Sequence, residues 1–277
     1  MISLIICSRS KDIQKELRDN VEKTIGTEHE WVIVDNSSGC NSIFQAYNIG
    51  ISRAKGDILC FMHDDILFRT MNWGLIVREV LNESNVGLVG LVGNYVIPDC
   101  PASWWTSCFK AGIVTQHYET DQIEKLNYGY PHGKSVALVD GLWFCMLRTA
   151  FKKVHFDEET FHGFHCYDSD ICMQILALGM EVRLVENIDI VHLSDGNLND
   201  EFFHAREQWY KKWQKSLPIS RGVELSQREI NILTLMAKEE NDWTIKASRA
   251  TAEIARLQST RAYQIGKFLL RHFRIHK

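Results

Sequence analysis

The sequence predicts an α/β fold with a helical C-terminal extension, on three observations. Short apolar runs of strand length alternate with helically spaced segments from Met1 to His192. The rhythm strand, helix, strand implies right-handed parallel βαβ units. After Leu217 and Pro218 the pattern changes to long stretches of helical spacing only.

Residues 3–7 read as the first strand. Residues 12–24 have helical spacing through Ile13, Leu17, Val21 and Ile25. Residues 31–34 are the second strand, ending at Asp35. Residues 41–54 are helical, with Ile43, Ala46, Tyr47 and Ile51 on one side. Residues 58–62 form a third strand, 73–81 a helix and 86–92 a fourth strand. The stretch 98–130, rich in Trp and Pro at its start, reads as irregular and as lying over the site. Strands are expected at 135–139 and 142–147, a helix at 171–178 stopped by Gly179, and strands at 182–185 and 190–192. Beyond residue 218, Ser226 and Glu229 have capping-box spacing ahead of Ile230, Leu233 and Met236. A second long helix is expected over 243–271. The organisation expected is a domain over 1–218 and a helical tail over 219–277.

The chain has 277 residues, 45% hydrophobic and 24% charged, the balance of a soluble globular protein. Its net charge of -4 points to no nucleic-acid partner. The opening run has no basic residues before it and reads as a strand rather than a signal peptide. No apolar stretch reaches the roughly 20 residues that span a bilayer. The eight cysteines form no CxxC pair, and Cys7, Cys60 and Cys145 sit within apolar runs. A reduced, cytoplasmic chain is therefore expected.

The most informative segment follows the third strand: His63, Asp64, Asp65. Adjacent carboxylates at the end of a buried strand repel each other, and desolvation adds to that cost. A divalent cation removes it. Hard cations such as Mg²⁺ or Mn²⁺ are held by one or two carboxylates plus substrate phosphates. In open α/β sheets, ligands bind at the carboxyl ends of strands. A solvated Asp-Asp turn is the alternative.

Several local patterns then agree. Ser8 and Arg9 follow the first strand. Asp35 opens the run VDNSSG from the second. Asn48, Gly50, Ala54, Gly56 and Asp57 fit the pattern NxGxxxAxGD. His63 to Ile66 read HDDI, Asp168 and Asp170 open a helix, His192 ends a late strand, and Lys212, Trp213, Leu217 and Pro218 form a "KW…LP" ending. Together these resemble the family 2 nucleotide-sugar glycosyltransferases of the GT-A fold, on the branch of streptomycin-cluster transferase-like proteins. The resemblance covers residues 1–218. It implies a Rossmann-like mixed sheet flanked by helices, a nucleotide-diphosphate sugar donor, Mn²⁺ or Mg²⁺, and an inverting transfer to a glycan or lipid-linked acceptor. His63 stands where many relatives carry the first Asp of DxD, and Tyr167 where many carry a Glu.

On that resemblance, Asp65 and His192 are the expected metal ligands, and His63 is taken as structural. Ser8, Arg9, Asp35, Asp64, Asp140 and Gly141 are the expected donor-binding residues. Asp35 would meet the base, Asp64 the ribose or the metal, Arg9 the diphosphate, and Asp140 with Gly141 the donor sugar. Asp168 is the expected catalytic base, with Asp170 second. A helix start lowers the pKa of a carboxylate, so an ionised, weak base is expected there. Trp104, Trp105 and Trp143 are candidate sugar platforms, and each is equally a packing residue.

The end of the chain is basic and amphipathic, from Lys246 to Lys277. It suits an anionic surface at the inner membrane face, a second subunit, or packing on its own domain. Other classes remain in view. Segments 225–237 and 251–257 superficially resemble a helix-turn-helix, which would make the chain a regulator, although the interval between them is long for that motif. A non-catalytic sugar- or nucleotide-binding protein is another alternative. A nucleotidyltransferase would need a richer phosphate loop than Ser8 to Lys11 provides.

Overall fold

The computed structural model describes residues 1–117, 122–194 and 198–261. The first half alternates as expected: β1 (Ile2–Ser8), α1 (Lys15–Thr24), β2 (His29–Asp35), α2 (Ile43–Arg53), β3 (Ile58–Met62), β4 (Ile66–Phe68), α3 (Trp73–Leu81) and β5 (Val86–Gly90). There follow β6 (Val92–Asn94), β7 (Val96–Ile97), β8 (Lys110–His117), β9 (Ile123–Gly129), β10 (Ser135–Val136), β11 (Leu138–Val139) and β12 (Trp143–Leu147). The remainder is α4 (Tyr167–Ala177), β13 (Glu181–Leu184), β14 (Ile190–His192), α5 (Asp200–Trp213), β15 (Ile219–Ser220) and α6 (Gln227–Gln258).

Among the described residues, seven strands form the main sheet in the order β10-β13-β5-β12-β3-β1-β2. The β2, β1 and β3 strands run parallel, as the βαβ rhythm requires, and β13 runs parallel to β5. Strand β12 inserts antiparallel between β3 and β5, which makes the sheet mixed. The observed architecture is thus the expected Rossmann-like mixed sheet with helices on both faces and a C-terminal helix.

Side-chain alternation places the two cores. In β3, Leu59 and Phe61 face α2 and α4 through Phe44, Tyr47, Cys172 and Ile175. Ile58, Cys60 and Met62 face α1 and α3 through Leu17, Val21, Trp73 and Val77. All five residues of β3 are buried, the signature of a strand covered on both faces. The α2 helix begins with a full capping box between Ser42 and Gln45.

Three sequence expectations change. The stretch 98–130 is not irregular throughout: β8 and β9 form an antiparallel hairpin inside it, and β8 joins a second sheet with β6 and β14. Exposed polar residues in β9, such as Glu124 and Lys125, had hidden its strand character. The run 135–139 is two short strands in different sheets. Among the described residues, 227–258 form one continuous helix, α6, of 32 residues, where a break before 243 was expected; the expected end of the second helix at 271 lies outside the described residues. With no turn between Ala237 and Glu253, the helix-turn-helix reading falls. The basic and aromatic residues from Tyr263 to Lys277 lie outside the described residues.

The segment after Pro218 is stitched to the α/β body. Strand β15 pairs with β7, and Val223, Leu225 and Leu233 pack on the main core. Farther along α6, Asn241 donates from Nδ2 to the Pro101 carbonyl at 2.6 Å. On the opposite side of the helix, Ile232, Met236, Trp243, Ile254 and Leu257 are exposed. No helix among the described residues is long and apolar enough to cross a membrane. Ala237 is buried and its neighbour Met236 is 59% exposed, so they report on opposite faces. Ala237→Glu should destabilise the protein by about 1–3 kcal/mol by burying an unpaired charge. Met236→Glu should stay within about 0.5 kcal/mol, as surface changes do. Urea denaturation of the two variants measures the contrast.

Candidate functional site

The site forms where β3 ends. The His63 amide donates to the Leu142 carbonyl at 3.0 Å, which carries the β3–β12 ladder one residue further. Asp64 and Asp65 then lead into β4. Strand β14 pairs antiparallel with β4 in a register that sets His192 opposite Ile66, and the Leu193 amide donates to the Asp65 carbonyl at 2.9 Å. Residues 127 positions apart in the chain are thereby brought side by side.

His63 Nδ1 lies 3.8 Å and His192 Nε2 3.7 Å from the same oxygen, Asp65 Oδ1. One ligand atom from each of these three residues lies within 4.8 Å of the others. Asp65 Oδ1 and His192 Nε2 are both buried with no hydrogen-bond partner. Such atoms cost about 1–3 kcal/mol each when unsatisfied. A cation between them would satisfy both, so the residues present fit a divalent metal. The other ring nitrogen of His192, Nδ1, meets Gln116 Oε1 at 3.1 Å. Gln116 Nε2 in turn donates to the Ser194 carbonyl at 2.6 Å, which turns the amide oxygen toward the ring. Nδ1 therefore carries the proton, and the Nε2 lone pair faces Asp65. Two imidazole nitrogens and a carboxylate are a donor set that divalent cations accept.

His63, expected to be structural, stands with Asp65 and His192. The chain bends at residues 64 and 65 between β3 and β4, so strand alternation gave no signal for this grouping. Asp64 Oδ2 instead accepts from the buried Ser8 hydroxyl at 3.0 Å. Ser8 ends β1, Asp35 ends β2 and Asp64 follows β3, so three adjacent parallel strands present these groups along one sheet edge. Asp35 is exposed, and its Oδ1 accepts from the Ser37 amide at 2.9 Å, a local turn contact that lowers its pKa. Arg9 is exposed beyond the end of β1.

The second wall is the segment between β11 and β12 together with the start of α4. Asp140 Oδ1 accepts from the Leu142 amide at 2.8 Å. The Gly141 carbonyl accepts from the Tyr167 hydroxyl at 3.0 Å. A Cβ on Gly141 would collide with that hydroxyl, so the close approach that requires glycine here is made by Tyr167. Asp168, in the first turn of α4, accepts from the Ser169 amide at 2.7 Å. Burial, and then the nearby Asp140 carboxylate, push Asp168 up to about 7, against the pull of the Ser169 and Gly141 donors. The helix-start effect predicted a lowered value. Desolvation and a like charge are stronger.

Asp170, the second candidate base, is committed elsewhere. It is 1% exposed, pairs with Lys212 Nζ at 2.8 Å and accepts from Trp213 Nε1 at 2.7 Å and Gln174 Nε2 at 2.8 Å. Lys212 also reaches Asp157 Oδ2 at 2.7 Å. The "KW" pair is thus the clasp that fastens α5 to α4. Of the candidate sugar platforms, Trp143 is fully buried against Trp73 and Phe68, and Trp105 stacks on Phe202.

The raised Asp168 has a consequence for stability. Below its unfolded pKa of about 3.9 the folded protein holds this proton no worse than the unfolded chain. Between there and about 7 the folded state holds it more tightly, and the associated stability is lost as pH rises. The metal-free protein should therefore lose up to about 1.4 kcal/mol per pH unit from this group across that window. Asp168→Asn should remove that slope, read from urea midpoints measured between pH 5 and 8.

The "Glycosyltransferase like family" matches residues 3–213. The streptomycin biosynthesis protein StrF of Streptomyces griseus is 26% identical over 188 residues, covering 65% of this chain and 64% of that protein's length. Among solved structures, GalNAc-T7 with UDP, GalNAc and Mn²⁺ is similar at a TM-score of 0.49 and 10% identity, covering 72% of this chain and 45% of that one. The mannosyltransferase PcManGT from Pyrobaculum calidifontis, in complex with GDP-Man and Mn²⁺, gives a TM-score of 0.47 and 12% identity, covering 97% and 83%. With its match running over most of the 277 residues, the chain belongs to this glycosyltransferase-like family.

Proposed function

We propose that the chain is a metal-dependent transferase that moves a sugar, with inversion, from a nucleotide-diphosphate donor to an acceptor hydroxyl. The observation that carries this reading is the His63–Asp65–His192 cluster, whose Asp65 Oδ1 and His192 Nε2 are unsatisfied, beside a wall that holds Asp168, a carboxyl of raised pKa in the first turn of α4. Mn²⁺ held by His63, Asp65 and His192 would neutralise the charge that develops on the leaving diphosphate.

The remaining roles belong to this chain's own groups. Asp35 ends β2, where the nucleobase would approach. Asp64, oriented by Ser8, would receive the ribose hydroxyls, and Arg9, exposed after β1, would meet the diphosphate. Asp140 and Gly141 flank the donor sugar. Asp168 accepts the proton of the attacking hydroxyl. A base with a pKa near 7 combines an ionised fraction at neutral pH with enough basicity to take that proton. The acceptor in this reading is a glycan or lipid-linked glycan of a surface polysaccharide. The enzyme would work in the cytoplasm, with α6 available for contact with a membrane or a second copy.

Three measurements test the reading. Asp65→Ala should abolish Mn²⁺-dependent binding of a nucleoside diphosphate in calorimetry while the circular dichroism spectrum is kept. Unchanged binding would exclude the metal site. Asp168→Asn should leave donor binding intact and slow transfer by about 10²–10⁴-fold, the usual contribution of a general base. In the unmutated protein, the transfer rate should rise with pH through about 7 as Asp168 ionises. A flat profile would exclude Asp168 as the base.

A further inference from the structure

His63 and Tyr167, each of which directly precedes an acidic residue of the site, touch each other. His63 Nε2 lies 2.8 Å from the Tyr167 hydroxyl. We propose that Tyr167 is a positioning residue for the metal site: its hydroxyl holds His63 in the Nε2–H tautomer and so presents the Nδ1 lone pair beside Asp65 and His192 as a third protein ligand. This inference rests on the metal site of the proposed function and adds the device that makes His63 competent there.

The contacts of the Tyr167 hydroxyl with Gly141 and His63 are both hydrogen bonds in one arrangement only. A carbonyl oxygen only accepts, so in that arrangement the Tyr167 hydroxyl donates its single proton to the Gly141 carbonyl at 3.0 Å. What it then offers His63 is a lone pair, which Nε2 can use only by carrying a hydrogen. A neutral imidazole with its proton on Nε2 has its free lone pair on Nδ1. Nδ1 is the nitrogen that lies 3.8 Å from Asp65 Oδ1.

The phenol is held firmly enough to act this way. Tyr167 is 7% exposed, packs edge-on against Tyr47 at 5.5 Å and borders Phe144. Its hydroxyl occupies the space that any side chain at residue 141 would need. Gln116 does the same for His192 from the other side, as acceptor for Nδ1–H. Each histidine thus has one nitrogen tied back and the other turned toward Asp65. The pair His63–Tyr167 supplies a neutral nitrogen ligand where a carboxylate would add a charge. The site should accordingly rank nitrogen-accepting ions such as Mn²⁺ and Co²⁺ above Mg²⁺.

The test uses the full chain stripped of metal by a chelator and titrated with MnCl₂, CoCl₂ or MgCl₂ alone, with no nucleotide present. Tyr167→Phe, which keeps the ring and removes the acceptor, should weaken Mn²⁺ binding by about 10–100-fold, the usual cost of losing a partner behind a metal-ligating histidine. His63→Ala should weaken it at least as much. Long-range ¹H–¹⁵N spectra of the metal-free wild type should show His63 protonated at Nε2, and those of Tyr167→Phe a tautomer mixture. The wild-type spectrum decides the tautomer even if the variant fails to fold. His63 protonated at Nδ1 in the wild type, or Mn²⁺ affinity within twofold of wild type in folded Tyr167→Phe, overturns the proposal. Tight Mn²⁺ binding that depends on Tyr167 in a protein without transferase activity would uphold this inference and overturn the proposed function. Absence of Mn²⁺ binding by the wild type overturns both.

Discussion

Five consecutive residues, Ile58–Met62, are covered by helices on both faces of the sheet, and polar chemistry can begin only where they end. That constraint orders the site. The chain bends at Asp64 and Asp65 on its way from β3 to β4, and the first polar residues after β3 divide there into two sets. His63 and Asp65 meet His192, and Asp64 meets Ser8.

Around that end, backbone pairing does the positioning. Antiparallel pairing of β14 with β4 sets His192 opposite Ile66, and parallel pairing of β14 with β8 sets it opposite Gln116. Ladder hydrogen bonds fix these distances without regard to the side chains they carry. The unsatisfied atoms at Asp65 and His192 are therefore held in place by the sheet, and their mutual approach is not a consequence of their own attraction. Asp168 is treated similarly. Helix α4 fixes its backbone, and burial beside Asp140 sets its pKa.

Several residues of the recognisable sequence patterns serve the scaffold. Gly56 donates its amide to the Ser3 hydroxyl at 2.8 Å, Asp57 pairs with the N-terminal ammonium at 2.6 Å, and Asn48 donates to the Phe156 carbonyl at 2.8 Å. Lys212 and Trp213 close on Asp170. A recognisable sequence pattern thus mixes groups that face the sheet edge with groups that hold that edge in place. Only contacts separate the two kinds.

The local readings came from periodicity and succeeded where periodicity acts. The strands β1, β2 and β3, the helices α2 and α3, the capping box at Ser226 and the placement of Ser8, Asp35, Asp64 and Asp65 at strand ends were legible in the sequence. Each depends on neighbours a few residues away. The sequence by itself also determined which chemical groups are present: two imidazoles, a run of carboxylates, and a tyrosine in an acidic pattern. Only the tertiary structure decided their partners. That His63 joins Asp65 and His192, that Tyr167 backs His63, that Asp170 is consumed by Lys212 and Trp213, and that Asp168 is raised rather than lowered all depend on contacts between distant segments. The β8–β9 hairpin and the single long α6 were hidden for a related reason. Exposed strand residues lose the apolar alternation that marks a strand, and no local signal distinguishes one continuous helix from two. Pairing and burial are properties of the assembled sheet, and a one-dimensional pattern carries the groups without the geometry that sets their charge and reach.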